Sequence, residues 1–225
     1  MMTTEDEQGR TAALGRYGVL DTPAEPEFDR ITALASRLFH VPTVAIVLVD
    51  GERTWSKSRY GLALPPQPRA LTFCNTAIAG AEVMVVPDAS LDERFATNPL
   101  VAREPRVRFY AGAPIRTHDG YNIGCVELVD YRPRVLASAE IELLASLAAV
   151  VMDELELRAT VGRIRRDVGA GTPESVPRGD SGGHVPAFRE VVDLRLGFIT
   201  HQLPAIIWTT DRELRISSAI GAGLE

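Results

Sequence analysis

Residues 69–130 carry four blocks in close succession: RALTFCNTAI (69–78), VPDASLDERFATNPLV (86–101), RFYAGAPI (108–115) and NIGCVELVD (122–130). The last two are short apolar runs on either side of the turn residues His118, Asp119 and Gly120, which predicts a β-hairpin. In the final block, period-two alternation places Cys125, Glu127 and Val129 on one face of a strand and Val126 and Leu128 on the other. A carboxylate on a covered strand is costly unless it is paired. Glu127 therefore calls for a cation such as Lys57 or Arg59, or for a place at a cavity.

Working outward, Ile31, Leu34, Ala35, Leu38 and Phe39 fall at helical spacing behind DTPAEPE, and predict an amphipathic helix that stops before Pro42. VAIVLVD (44–50) and RTWSKSRYG (53–61) flank Asp50 and Gly51, a second hairpin. LTFCNTAIAG (71–80) reads as a short helix and EVMVVPD (82–88) as a strand closed by Pro87. Residues 88–108 read as a small helix with a lid-like loop. From Ser138 a long helix begins, with Glu140 and Glu142 near its start. Along it Ile141, Leu144, Ala148, Val151 and Leu155 recur at steps of three and four, and Leu143, Leu147 and Val150 form a second row. Two rows allow one face to cover the sheet and the other to meet a partner helix. The row from Ile141 to Leu155 is therefore expected in a parallel homodimer, the alternative being one broad face buried in its own domain. The fold expected is α/β in the broad α+β sense: an antiparallel sheet of about five or six strands, helices on one face, a loop-covered pocket on the other.

The chain has 225 residues, 45% apolar and 24% charged, with a formal net charge of -6. This is a globular composition. An acidic balance argues against nucleic-acid or anionic-membrane partners, and the run Arg103, Arg106, Arg108 is too short to reverse it. The opening MMTTEDEQGR has no apolar stretch behind a basic start, so residues 1–9 are expected to be disordered, with no targeting segment. No window approaches the ~20 apolar residues of a membrane span, and a cytoplasmic location is expected. Cys74 and Cys125 lack CxxC spacing, and His40, His118, His184 and His201 are scattered. Neither a disulfide framework nor a metal site is expected, and no cofactor is identified.

Together with RYGVLDTPAEPEFDRITALASRLFHVPTVAIVLVDGERTWSKSRYGL (16–62), the four blocks resemble the GAF domains of bacterial signal-transduction proteins, over residues 10–160. The resemblance implies a sensory or regulatory module with a small-molecule pocket. It places Phe73, Cys74, Ala77, Asp88, Phe95, Phe109, Ala111, Cys125 and Glu127 at that pocket, and Asp92, Arg94 and Asn98 in the loop over it. Relatives attach such inputs to histidine kinases, diguanylate cyclases, phosphodiesterases or phosphatases. The motifs of these outputs do not occur in this sequence, so the chain is not expected to be an enzyme. No histidine follows Cys74, against covalent bilin attachment, and the cyclic-nucleotide signature of some relatives finds no match.

Two alternatives remain at the level of sequence. One is a dimerisation scaffold with a filled cavity. The other is a free methionine-R-sulfoxide reductase, which the blocks also resemble. The loop Ser90–Pro99 lacks the cysteine that enzyme uses there, and Cys125 could stand in only within ~7 Å of Cys74 between Cα atoms.

The helix is expected to end over 161–168, with a Gly- and Pro-rich flexible linker at 169–187. Residues 188–225 then read as a helix followed by LPAIIWTTD (203–211) and a second strand. This tail resembles the start of a PAS domain, too short to close its own sheet.

Overall fold

In the computed structural model the described residues are 4–62, 67–170, 206–210 and 216–221. The chain divides into two units, Met1–Ile164 and Arg165–Glu225.

The first unit is built on a six-stranded sheet: β1 (Thr43–Val49), β2 (Arg53–Tyr60), β3 (Gln67–Pro68), β4 (Met84–Val86), β5 (Phe109–Arg116) and β6 (Asn122–Asp130). The spatial order is β3-β2-β1-β6-β5-β4, every neighbouring pair antiparallel. This agrees with the sheet expected from sequence. β1 is central and buried along its whole length, which is why its sequence TVAIVLV shows no polar alternation.

Helices α1 (Thr4–Tyr17), α2 (Pro26–Phe39) and α5 (Ser138–Ala170) contribute to a core on one face of the sheet. Their Leu14, Phe28, Phe39, Leu144, Val151 and Leu155 lie in one buried cluster with Val44, Ile46 and Leu48 of β1 and Val126 and Leu128 of β6. α2 starts on Pro26, whose fixed φ suits a first helical position, and ends at His40 in the left-handed region (φ 51°). On the opposite face sit α3 (Phe73–Ala77), α4 (Pro99–Ala102) and the loops between β4 and β5.

Three expectations are corrected. The opening residues are helical from Thr4, not disordered. Arg10 anchors α1: it is 2% exposed and donates to the carbonyls of Val49 and Asp50 and to Glu7. A helix held by a buried arginine carries little of the apolar periodicity that reveals helices in sequence. Secondly, Leu144, Ala148, Val151 and Leu155 are not a dimer stripe; they are buried in the core of their own domain, and Ile141 is half-buried. Of the second row, Leu143 and Val150 are 39% and 48% exposed, while Leu147 is buried in the same core. Thirdly, α5 continues to Ala170, past the expected end and into the first residues assigned to the linker.

In the second unit, β7 (Ile206–Thr210) pairs antiparallel with β8 (Ile216–Gly221). The rest of the expected linker and the helix at 188–203 lie outside the described residues.

Candidate ligand cavity

The face of the sheet away from α5 encloses a cavity of about 80 Å³, measured as space for the centres of water-sized spheres. One water needs roughly 10–15 Å³ on that measure, so the space suits a small molecule or several waters. Strand parity decides its walls. Ala45 and Val47 of β1 and Glu127 and Val129 of β6 line it, with Tyr110 of β5 and Phe73 and Cys74 of α3.

α3 is placed by its cap. The Thr72 side chain accepts a hydrogen bond from the Asn75 N–H (3.4 Å), which sets Phe73 and Cys74 over the sheet. Phe73 lies between two rings, its centroid 4.4 Å from Phe95 and 4.8 Å from Tyr110. Cys74 is joined to Cys125 in a disulfide, with Cα atoms 6.3 Å apart. The sequence spacing matches no disulfide framework, and leaves a meeting of the two cysteines to the fold. The two cysteines meet because α3 crosses the middle of β6, a long-range closure that a separation of 51 residues cannot reveal.

Glu127 lies directly across the ladder from Gly112 on β5 and Ala45 on β1. The Tyr110 ring folds back over Gly112, so closely that a Cβ there would collide with the phenol oxygen. That brings the hydroxyl to 3.4 Å from Cys125 Sγ and within hydrogen-bonding reach of the Glu127 carboxylate. Burial pushes the Glu127 carboxyl up to about 7, and the Tyr110 hydroxyl pulls partly against that shift. Burial, reinforced by the facing carboxylate, holds the Tyr110 phenol well above its ordinary range.

Of the two cations considered for Glu127, Lys57 is turned to the other side. Its ammonium group is fully buried and meets Glu25 Oε1 (2.5 Å), Thr22 Oγ1 and the Pro23 carbonyl. Arg59 does line the cavity, and reaches it through an irregularity in β2. Ile46 pairs with Ser58 but Val47 with Ser56, so Lys57 is an extra residue and parity reverses on either side of it. Ser56 and Arg59 both end on the cavity face as a result.

The remaining predicted residues divide. Ala77 and Phe95 are buried behind Phe73 in the cluster that walls the cavity. Phe109 and Ala111 are corrected: they sit in the core beneath the helices, on the opposite face. The parity was shifted by one, since Tyr110 pairs with Val129 and Gly112 with Glu127. Asp88 closes a local turn by accepting from Ser90 N–H and Oγ, away from the cavity lining. Asp92 and Arg94 bind each other, and Arg94 covers Phe95 with its guanidinium 5.0 Å from the ring centroid. Asn98 caps α4 through the Leu100 N–H and donates to the Leu71 carbonyl, fastening this loop beside α3. Tyr110 and Tyr131 line the cavity without having been singled out from sequence. Tyr110 was within reach, because pairing Gly112 opposite Glu127 would have found it.

The first unit is thus an antiparallel sheet with helices on one side and a small cavity beneath loops on the other. The GAF domain profile matches residues 23–155, and the chain belongs to the GAF family. It is similar, at 40% identity over 158 residues, to a cyclic di-GMP phosphodiesterase of Pseudomonas aeruginosa. That match covers 69% of this chain and 27% of the relative, so the chain spans about a quarter of that protein's length. Among solved structures, the GAF domain of an Acinetobacter phosphoenolpyruvate-protein phosphotransferase aligns with a TM-score of 0.50 at 15% identity, covering 72% of this chain and 99% of that one. The free methionine-R-sulfoxide reductase of Neisseria meningitidis, solved with its substrate, gives 0.51 at 16%, covering 72% and 96%. At such identities the likeness is one of fold. Among the described residues, no helix is long and apolar enough to cross a membrane.

Proposed function

We propose that this chain is the input module of a longer cytoplasmic signal-transduction protein. In it, a small molecule in the cavity, or a change at a dimer surface, alters the packing of α5 and biases an output domain beyond this chain. The carrying observation is the position of β6. Its Glu127 lines the cavity, while Val126 and Leu128 on its other face share a core with Leu144, Val151 and Leu155 of α5. A ligand shifts such an equilibrium only by its differential affinity for the two states, so α5 must pack differently in each. The walls favour a ligand with a polar or cationic group for Glu127 and an apolar part for Phe73, Val47 and Val129.

The Pseudomonas aeruginosa relative, of which this chain matches 27%, supports a cyclic di-GMP phosphodiesterase as the output class. The exposed Leu143 and Val150 support a homodimer through the outward side of α5. A pure scaffold is favoured less, because the cavity is not filled. The β7–β8 pair is in keeping with a second, PAS-like module starting there.

Native mass spectrometry of the purified chain tests both parts: a dimer carrying one small molecule per chain is expected, with Glu127→Gln losing the molecule. An unchanged bound mass in Glu127→Gln removes the cavity role. A second reading, reductase activity, is favoured by one observation, since Cys74 and Cys125 meet the Cα condition at 6.3 Å. Consumption of free methionine-R-sulfoxide by the reduced chain tests it, and no turnover above a Cys74→Ser control rejects it.

A further inference from the structure

Three side chains able to ligate a metal converge beside the cavity. Cys74 Sγ, Cys125 Sγ and a Glu127 carboxylate oxygen all lie within 4.8 Å of one another. We propose that reduction of the Cys74–Cys125 bond converts this cluster into a site for a divalent transition-metal ion of the zinc class. Two thiolates and one carboxylate are its ligands, and the cavity supplies an open fourth position. The proposal goes beyond the sensor reading and does not depend on an organic ligand.

Two sulfurs and an oxygen form a borderline-soft donor set that suits zinc or cobalt and is poorly matched to magnesium or calcium. Metal–sulfur bonds of ~2.3 Å in a tetrahedron place the sulfurs roughly 3.8 Å apart. Side-chain rotation can open that gap without moving strand or helix, given Cα atoms 6.3 Å apart. The ligands come from two rigid elements: Cys125 and Glu127 stand two residues apart on one face of β6, and Cys74 on α3 faces them. Supporting contacts are in place. The Tyr110 hydroxyl reaches both Cys125 Sγ, at 3.4 Å, and Glu127, and can orient the two ligands of β6. Cys74 and Glu127 both line the cavity, which gives an ion its route in. Two thiolates, a carboxylate and a divalent ion leave a net charge of -1, in a cavity whose lining also includes Arg59.

The chemistry balances with an external dithiol as reductant. Its thiolate attacks the Cys74 sulfur at the cavity wall and displaces Cys125 as a thiolate. The second thiol of the reductant then releases Cys74 and leaves within a disulfide of its own. Two electrons and two protons pass to the cysteine pair, and coordination replaces the two thiol protons by the ion. Reoxidation of the pair would expel the metal, so occupancy would report redox state.

The 225-residue chain, reduced anaerobically with dithiothreitol and desalted, is titrated with Co²⁺ alone. One Co²⁺ per chain is expected, with thiolate-to-cobalt charge-transfer absorption in the near ultraviolet, displaced by Zn²⁺. The oxidised chain is expected to take up none. Cys74→Ser and Cys125→Ser should abolish the charge-transfer bands, and Glu127→Gln should weaken binding about tenfold or more. Absence of the bands in the reduced chain, or their persistence in Cys74→Ser, overturns the proposal. Should the serine variants fail to fold, alkylation of the reduced wild-type thiols decides: Zn²⁺ is expected to slow it strongly, and equal rates with and without Zn²⁺ overturn the site.

Discussion

Tyr110 and Gly112 act as one unit at the scale of the residue. The ring can lie along β5 towards Cys125 and Glu127 because position 112 has no side chain. Gly112→Ala is expected to swing Tyr110 away and cost about 1–3 kcal/mol in overpacking, measured by urea unfolding. If Ala is accepted with no change in stability or in Tyr110 environment, the close approach has been misread. This pair also shows where sequence reading stops. Period-two alternation placed Cys125, Glu127 and Val129 together correctly, because parity within one strand needs no partner. Assigning Phe109 and Ala111 to the same face required the register between β5 and β6, and a one-residue error sends every side chain to the wrong side. Arg59 was harder still, since the extra residue in β2 leaves no mark in the run RTWSKSRY.

At the scale of elements, α5 turns Leu144, Leu147, Ala148, Val151 and Leu155 into the core and leaves Leu143 and Val150 exposed. Leu144→Ala removes a fully buried side chain and should cost about 2–5 kcal/mol in chemical denaturation, whereas Leu143→Ala should be close to neutral for folding. Similar costs for both would mean that the rows were misassigned. The heptad-like spacing was legible, but which row faces inward depends on how the helix is rotated against the sheet, which spacing leaves open.

α1 is fastened differently, by charge. Glu7 bonds Arg10 and Arg69, and Arg69 donates to Asn75 Oδ1 beside Cys74. The Arg10 hydrogen bond, opposed by burial and aided by Arg69, lowers the Glu7 carboxyl from 4.5 to about 2. Glu7 thus binds its proton more weakly in the folded chain than in the unfolded one. Its contribution is full above pH about 4.5 and is lost as pH falls towards 2. Thermal melts of wild type and Glu7→Gln should accordingly differ at pH 6 and converge near pH 2. A gap that stays constant with pH would contradict the clasp.

For the first unit as a whole, sequence made the architecture and family legible because five blocks in order constrain topology more than any block alone. The cysteine pair stayed hidden, since it is made by the closure of α3 on β6 rather than by any local pattern. A second long-range feature ties the sheet to α5: Glu25 binds both Lys57 of β2 and Arg158 of α5 (2.5 and 2.9 Å), so strand and helix share one carboxylate. Arg158 also donates to the carbonyls of Tyr17 and Gly18, which brings the end of α1 into the same junction. This junction therefore joins the sheet to α5 in addition to the shared core.

In the proposed input module the cavity face of β6 and the helix behind it respond together. Hydrogen–deuterium exchange of the wild-type chain and of Ala45→Leu, which fills part of the cavity beside Glu127, tests it most directly. The predicted result is altered exchange in α5 over residues 141–158 as well as in β1 and β6. Changes confined to the cavity-lining strands and loops, with α5 exchanging as in wild type, would contradict it.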